Sequence, residues 1–286
     1  MVKIFLSFLL LFSLSYGDDF SAKLVDVNST SDKLDMKIRS LLEESVYTKN
    51  KAYIKIIFSP ESDFMTKDRV DAVKVVETLK ENGLLSLYFK KPHELVLNFK
   101  TSDNPLFFVK IMGDTLRNIG YYRYVTREAK LDERGFTWSI SLRAEYVTDP
   151  QVLQIELAKS GSAIIDVTMI SPTEWTFSVD MHEGFLNVAS LVSYENIELK
   201  RSLYAYWLDV SQVKELSIQS SRRNSWYPYI TYFDASLHLL KVIKQDEKTR
   251  HIDLEIPEGA KYIKISDIYT LKNIKNFLLL APKGTR

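Results

Sequence analysis

Apolar positions along this chain follow three patterns: one short unbroken run at the start, stripes at helical spacing through the middle, and short alternating runs over the last third. The opening run, residues 4–14, follows the single base Lys3 and ends at Ser15-Tyr16-Gly17. It is too short to cross a bilayer, which takes about twenty apolar residues. A basic start, a brief apolar stretch and small residues at its end are the layout of a secretory signal peptide. Residues 1–17 are therefore expected to be a signal peptide cleaved after Gly17, with residues 18–30 a polar, loose arm.

The central stripes predict helices and strands in a recurring order. Leu34, Ile38, Leu41 and Leu42 share one face of a helix over 31–47 with Ser31 as its cap, and the apolar run 53–58 before Pro60 is expected to be a strand. Residues 18–60 thus read as a flexible arm and an N-terminal helix. Asp68 is then placed to cap a helix carrying Val70, Val73, Val76 and Leu79, followed by strands at 84–89 and 95–99 around a turn at 90–93. Two further helices begin at Asn104-Pro105 and Asp149-Pro150, a capping side chain followed by proline where its missing donor is not needed. All three close on Leu-x-x-x-Gly, at Leu79/Gly83, Leu116/Gly120 and Leu157/Gly161, with glycine taking the left-handed conformation. Extended pairs follow the second and third at 121–126 with 136–147 and at 164–170 with 175–179. Residues 61–182 are expected to be repeated helix-plus-β-hairpin modules, although unrelated helices also end in this way.

The texture changes near 181–184, where His182-Glu183-Gly184 interrupts the pattern. Short runs at 185–192, 203–210, 216–219, 227–233, 237–243, 252–256 and 262–265, with 274–280 as a final strand, predict an all-β sandwich over 183–286, jelly-roll-like in arrangement. The fold class expected from the whole pattern is α+β, repeated modules followed by this sandwich.

Composition narrows the function classes. Lys and Arg number 38 against 37 Asp and Glu, and removal of Lys3 with the leader leaves 37 against 37, so nucleic acid is not an expected partner. With 45% hydrophobic residues there is material for more than one packed core. Cysteine is absent, which excludes disulfides, thiolate metal sites, cysteine nucleophiles and a lipid-anchored cysteine. An exported chain without disulfides fits a bacterial periplasm, and no transmembrane span is expected after cleavage.

No catalytic, cofactor-binding or metal-ligating set stands out. His93, His182, His238 and His251 are scattered, without metal-ligand spacing, and His238 in its apolar run is expected to be structural. There is no Gly-x-Ser-x-Gly and no phosphate-binding glycine loop. Asp166 and Asp180 are expected to face solvent. The densest constellation is Arg222, Arg223, Asn224 and Trp226 with Tyr227, Tyr229, Tyr232 and Phe233, a mixture of rings and donors that suits a sugar face or a protein hot spot. Alternation assigns Tyr227, Tyr229 and Phe233 to the core of a strand, leaving Arg222, Arg223 and Trp226 as exposed contact candidates. A second cluster, Arg117-Asn118 with Tyr121, Tyr122, Arg123 and Tyr124, lies where the second helix turns into its strand, either a docking edge or a half-exposed strand. Asn28, in Asp26-Val27-Asn28-Ser29-Thr30, is a candidate glycosylation acceptor, and the acid two residues upstream resembles the extended acceptor of bacterial oligosaccharyltransferases.

The segments 229–234 and 256–265, the latter reading Ile256-Pro257-Glu258-Gly259-Ala260-Lys261-Tyr262-Ile263-Lys264-Ile265, resemble galactose-binding-like jelly rolls of bacterial surface and phage proteins. That resemblance implies a fold and no ligand residue. The chain as a whole resembles a family of predicted periplasmic proteins of proteobacteria, which implies location. The helix-plus-hairpin modules are similar in outline to periplasmic modules of secretion rings and assembly factors. These likenesses lead to the expectation of a non-enzymatic periplasmic scaffold or adaptor with envelope proteins as partners. A glycan- or peptidoglycan-binding protein acting through the sandwich is the alternative, and an envelope hydrolase the third reading.

Overall fold

The computed structural model describes residues 30–286; the expected signal peptide, its cleavage after Gly17, the arm up to residue 29 and Asn28 lie outside the described residues. Two helices, α1 (Thr30–Ser40) and α2 (Glu44–Ile57), replace the single helix read over 31–47, and α2 runs through the segment expected to be a strand. Tyr47, Ile54 and Phe58 are buried on one side of α2 at helical spacing. A six-residue apolar run does not by itself distinguish a strand from one turn of such a face.

A 3-10 turn (Glu61–Phe64) and a small hairpin, β1 (Met65–Thr66) with β2 (Arg69–Val70), precede α3 (Ala72–Glu81). The hairpin moves the start of this helix: Asp68 lies in its turn, and Asp71 is the cap, its carboxylate accepting from the Lys74 N–H at 3.1 Å. After α3 comes one strand, β3 (Tyr88–Thr101), where two were expected. The anticipated turn at 90–93 is instead an irregularity in the pairing, whose register jumps between Tyr88 and His93. Pro92 sits within that jump, where a missing N–H is tolerated.

The second and third modules are built as helix plus hairpin. Helix α4 (Pro105–Asn118) is capped by Asn104, whose side chain accepts from the Leu106 and Phe107 N–H groups, and leads to β4 (Val125–Asp132) and β5 (Gly135–Tyr146). Asp149 caps α5 (Pro150–Ala158), which leads to β6 (Ala163–Ser171) and β7 (Glu174–Asp180). The three units are not strung in series. Their five strands share one sheet in the order β4-β5-β3-β7-β6, antiparallel except for the central β3–β7 pair. Leu95, Leu97 and Phe99 of β3, with Trp138 and Ile140 of β5 and Trp175 and Phe177 of β7, form the face buried under α3, α4 and α5. Burying such side chains at roughly 1.5–3 kcal/mol each is what holds this half together. The other face is polar, with Asn98 donating to Glu174 at 3.1 Å and accepting from the Ser139 hydroxyl.

The C-terminal half holds β8 (Ala189–Ser190), β9 (Ile197–Lys200), β10 (Tyr206–Asp209), β11 (Val213–Ser220), β12 (Pro228–Phe233), β13 (Leu239–Lys244), β14 (His251–Glu255), β15 (Tyr262–Asp267) and β16 (Phe277–Thr285). They form a five-stranded sheet, β13-β12-β15-β10-β8, and a four-stranded sheet, β14-β11-β16-β9. Leu216, Ile218, Leu278 and Leu280 of the second sheet share one core with Ile230, Tyr232, Ile263 and Ile265 of the first. The chain is thus a mixed α+β protein with a sheet-rich C-terminal portion.

The two halves are joined by an apolar seam. Residues on the opposite face of the five-stranded sheet, Tyr262 with Trp207 and Phe233, join the N-terminal core together with Leu186 and Leu237. Trp207 stacks on Phe233 at 5.1 Å between ring centroids. Both faces of that sheet are therefore covered along the seam.

Candidate functional site

Helix α4 presents Lys110, Asp114 and Arg117 on one side, because residues three and four apart lie above one another on a helix. Its other side, with Phe108, Ile111 and Met112, is buried on the sheet. The charged side faces a cleft of about 570 Å³ between the halves, lined also by Tyr204, Trp207 and Lys264 and by Glu156 of α5.

Lys110 and Arg117 each donate to one oxygen of the Asp114 carboxylate. The Lys110 ammonium lies 4.9 Å and the Lys264 ammonium 5.7 Å from the centre of the Trp207 ring, and the Arg117 guanidinium 4.4 Å from that of Tyr204. Cations over ring faces gain about 0.5–2 kcal/mol each and are held in position. Among the described residues Lys264 forms no ion pair. Glu156 accepts from Lys159 at 2.5 Å and Asn118 at 2.8 Å. Burial works to raise the Glu156 pKa, but the hydrogen bonds from Lys159 and Asn118 together with the Lys159 charge hold the carboxyl below its usual range. Both carboxylates lining the cleft are thus engaged, while its three cations outnumber them.

Burial pushes the Lys110 pKa down; Asp114 pulls it up, Arg117 and Lys264 push it down again, and the net shift is downward from 10.5. The folded value being the lower one, the unfolded chain holds more protons in the window just below 10.5. Stability contributed by this group therefore rises with pH through that window, and the full penalty of burying the charge applies below it. Across the window, the urea midpoint of Lys110→Met should rise less than that of the wild type. Coincident profiles would show that Lys110 titrates as a free lysine.

Arg117 and its neighbour Asn118 are the residues anticipated from sequence that reach this cleft. Tyr122 and Arg123 are exposed in the segment between α4 and β4, outside its walls. Arg222 and Arg223 are exposed in the turn before β12. Asn224 is buried, its amide donating to the Phe277 carbonyl at 2.8 Å and its oxygen accepting from the Asn276 N–H at 2.9 Å. Trp226, expected to be exposed, has 0% of its surface accessible and donates through Nε1 to the Ser266 carbonyl at 2.8 Å. It is a core residue of the C-terminal half, placed there because the two sheets need a large ring between them. His238 lies in the turn before β13, exposed, with its ring Nδ1 2.9 Å from Asp234. Asp180 is exposed as expected, and Asp166, about two-fifths exposed, pairs with Lys37 at 2.5 Å.

Lys110, Asp114, Tyr204, Trp207 and Lys264 were not singled out from the sequence. The i, i+4, i+7 spacing of Lys110, Asp114 and Arg117 was a readable signal for a charged helix face. Nothing local marks Trp207 or Lys264, which the fold brings in from separate strands.

No protein-family model, curated protein or solved structure matches this chain. Among the described residues no helix is long and apolar enough to cross a membrane.

Proposed function

We propose that this protein is a non-enzymatic scaffold or adaptor of the bacterial periplasm, exported by its signal peptide, which makes protein–protein contacts in the envelope through the cleft between its halves. In this reading the chain belongs with predicted periplasmic proteins of proteobacteria, and its two C-terminal sheets are wound as a jelly roll. The observation that carries the contact role is the arrangement of Lys110, Arg117 and Lys264 over the Trp207 and Tyr204 rings, a preset cationic surface in a cleft open to solvent. Such Arg and aromatic pairs are enriched where proteins meet.

Hydrolysis fits this cleft less well. Asp114 is shared between Lys110 and Arg117, and Glu156 between Lys159 and Asn118, so neither carboxylate is free to act as a base. A glycan-binding role through the C-terminal half loses its stacking ring, since Trp226 is inaccessible.

Photo-crosslinking in the native envelope tests the proposal. A crosslinker at position 204, in the cleft, should give one discrete adduct that Lys264→Glu removes, while a crosslinker at position 222 gives none. An adduct at 222 alone, or a cleft adduct indifferent to Lys264→Glu, would refute the cleft as the contact site.

A further inference from the structure

Two depressions meet at the charged face of α4. Beside the cation-lined cleft lies a groove of about 610 Å³ whose apolar wall includes Leu106, Val109, Tyr124, Phe233 and Leu237. The cleft and the groove share Lys110, Asp114, Arg117 and Trp207, so they form one continuous site with a cationic end and an apolar end. Leu106, at the start of α4, leaves 64% of its surface exposed at the apolar end.

The proposed function leaves the partner's chemistry open; resting on that reading, we infer that the site docks an extended protein segment pairing an acidic side chain with a bulky apolar one a few residues away. The carboxylate would lie beside Lys264 and Arg117, and the apolar side chain on the groove. Charge complementarity favours an acid: three cations line the cleft, its two carboxylates are engaged within the protein, and Lys264 has no ion pair among the described residues. Cations already stacked on rings need little ordering when they bind, which limits the entropy lost on association. Both depressions lie open along the seam, whereas a small-molecule pocket typically buries about 70–90% of its ligand. A chain laid across the surface suits that shape.

The protein carries its own reporter. Of its four tryptophans, Trp138, Trp175 and Trp226 are buried and Trp207 is half-buried at the junction of cleft and groove. Acrylamide quenching of the intrinsic fluorescence therefore reads this site above the others.

The test probes the purified protein against an array of random peptides and follows the best binders by quenching. Expected are binders enriched in Asp or Glu near Phe, Leu, Ile or Trp, which shield Trp207. Exchange of the acid for its amide should weaken them at least tenfold, as should Lys264→Glu or Leu106→Asp, two changes at side chains outside the packed cores. The melting temperature of each variant, unchanged, separates lost binding from lost folding. Binders without acidic enrichment, or equally tight to the amide peptides, would overturn the inference. So would shielding by an anionic amphiphile such as dodecanoate with no peptide shielding. Should the position 204 crosslink stand while the array shows no acidic preference, the partner chemistry is wrong and the adaptor reading survives; loss of both removes both.

Discussion

Trp226→Ala should destabilise the C-terminal half by about 3–5 kcal/mol, the range for emptying the space of a large buried ring. The indole has no accessible surface and belongs to the core that Ile230, Ile265, Leu278 and Leu280 build between the sheets. Two losses add. The cavity removes dispersion contacts that the sheets recover only by moving together, and the Ser266 carbonyl loses the donor that now sits 2.8 Å away. Trp226→Phe keeps most of the volume and deletes that donor, so its expected loss is smaller, with about 1–3 kcal/mol from the unsatisfied carbonyl. Urea titrations followed by circular dichroism separate the cases. A ring that served as an exposed contact would give a loss under about 0.5 kcal/mol on truncation, since surface substitutions rarely exceed that; such a result would mean that Trp226 is not packed between the sheets.

What the sequence disclosed was chemistry completed within a few residues. Asn104-Pro105 and Asp149-Pro150 start helices because a capping oxygen and a proline need only the first turn to act, and both stand where they were read. The run 53–58 does not declare its period because five apolar residues around Lys55 satisfy either one, and only Tyr47, outside that window, reveals the helical face. The expected turn at 90–93 is instead an irregular stretch of the β3–β5 pairing, which accommodates Pro92 without ending the strand. Strand β12 carried a usable hint: Ile230 and Tyr232 face one core while Phe233 joins the other, and a strand apolar on both faces is covered on both. The cleft had no local signature beyond α4, since Tyr204, Trp207 and Lys264 reach it from positions far along the chain.

The three Leu-x-x-x-Gly ends look alike in sequence and should respond differently to alanine. Gly83, Gly120 and Gly161 all have positive φ, at +70°, +100° and +65°, so each substitution carries the left-handed penalty of about 1–2 kcal/mol. At Gly83 and Gly120 a new Cβ meets nothing within 4 Å. At Gly161 it would stand 2.5 Å from the Glu183 carbonyl oxygen and 3.0 Å from the Phe185 ring. That segment is strapped to the end of α5 by the Phe185 N–H donating to the Ser160 carbonyl at 3.0 Å, so it cannot retreat without breaking the bond. Overpacking of this kind adds about 1–3 kcal/mol, which places Gly161→Ala at a loss of about 2–5 kcal/mol and its two counterparts near 1–2. The displaced segment leads directly into Leu186, Asn187 and Val188, a wall of the cleft, so Gly161→Ala should also raise the acrylamide accessibility of Trp207 while Gly83→Ala leaves it unchanged. Equal losses at all three glycines, with Trp207 undisturbed, would show that the connection between the halves yields easily and that the cleft wall is not set by the end of α5.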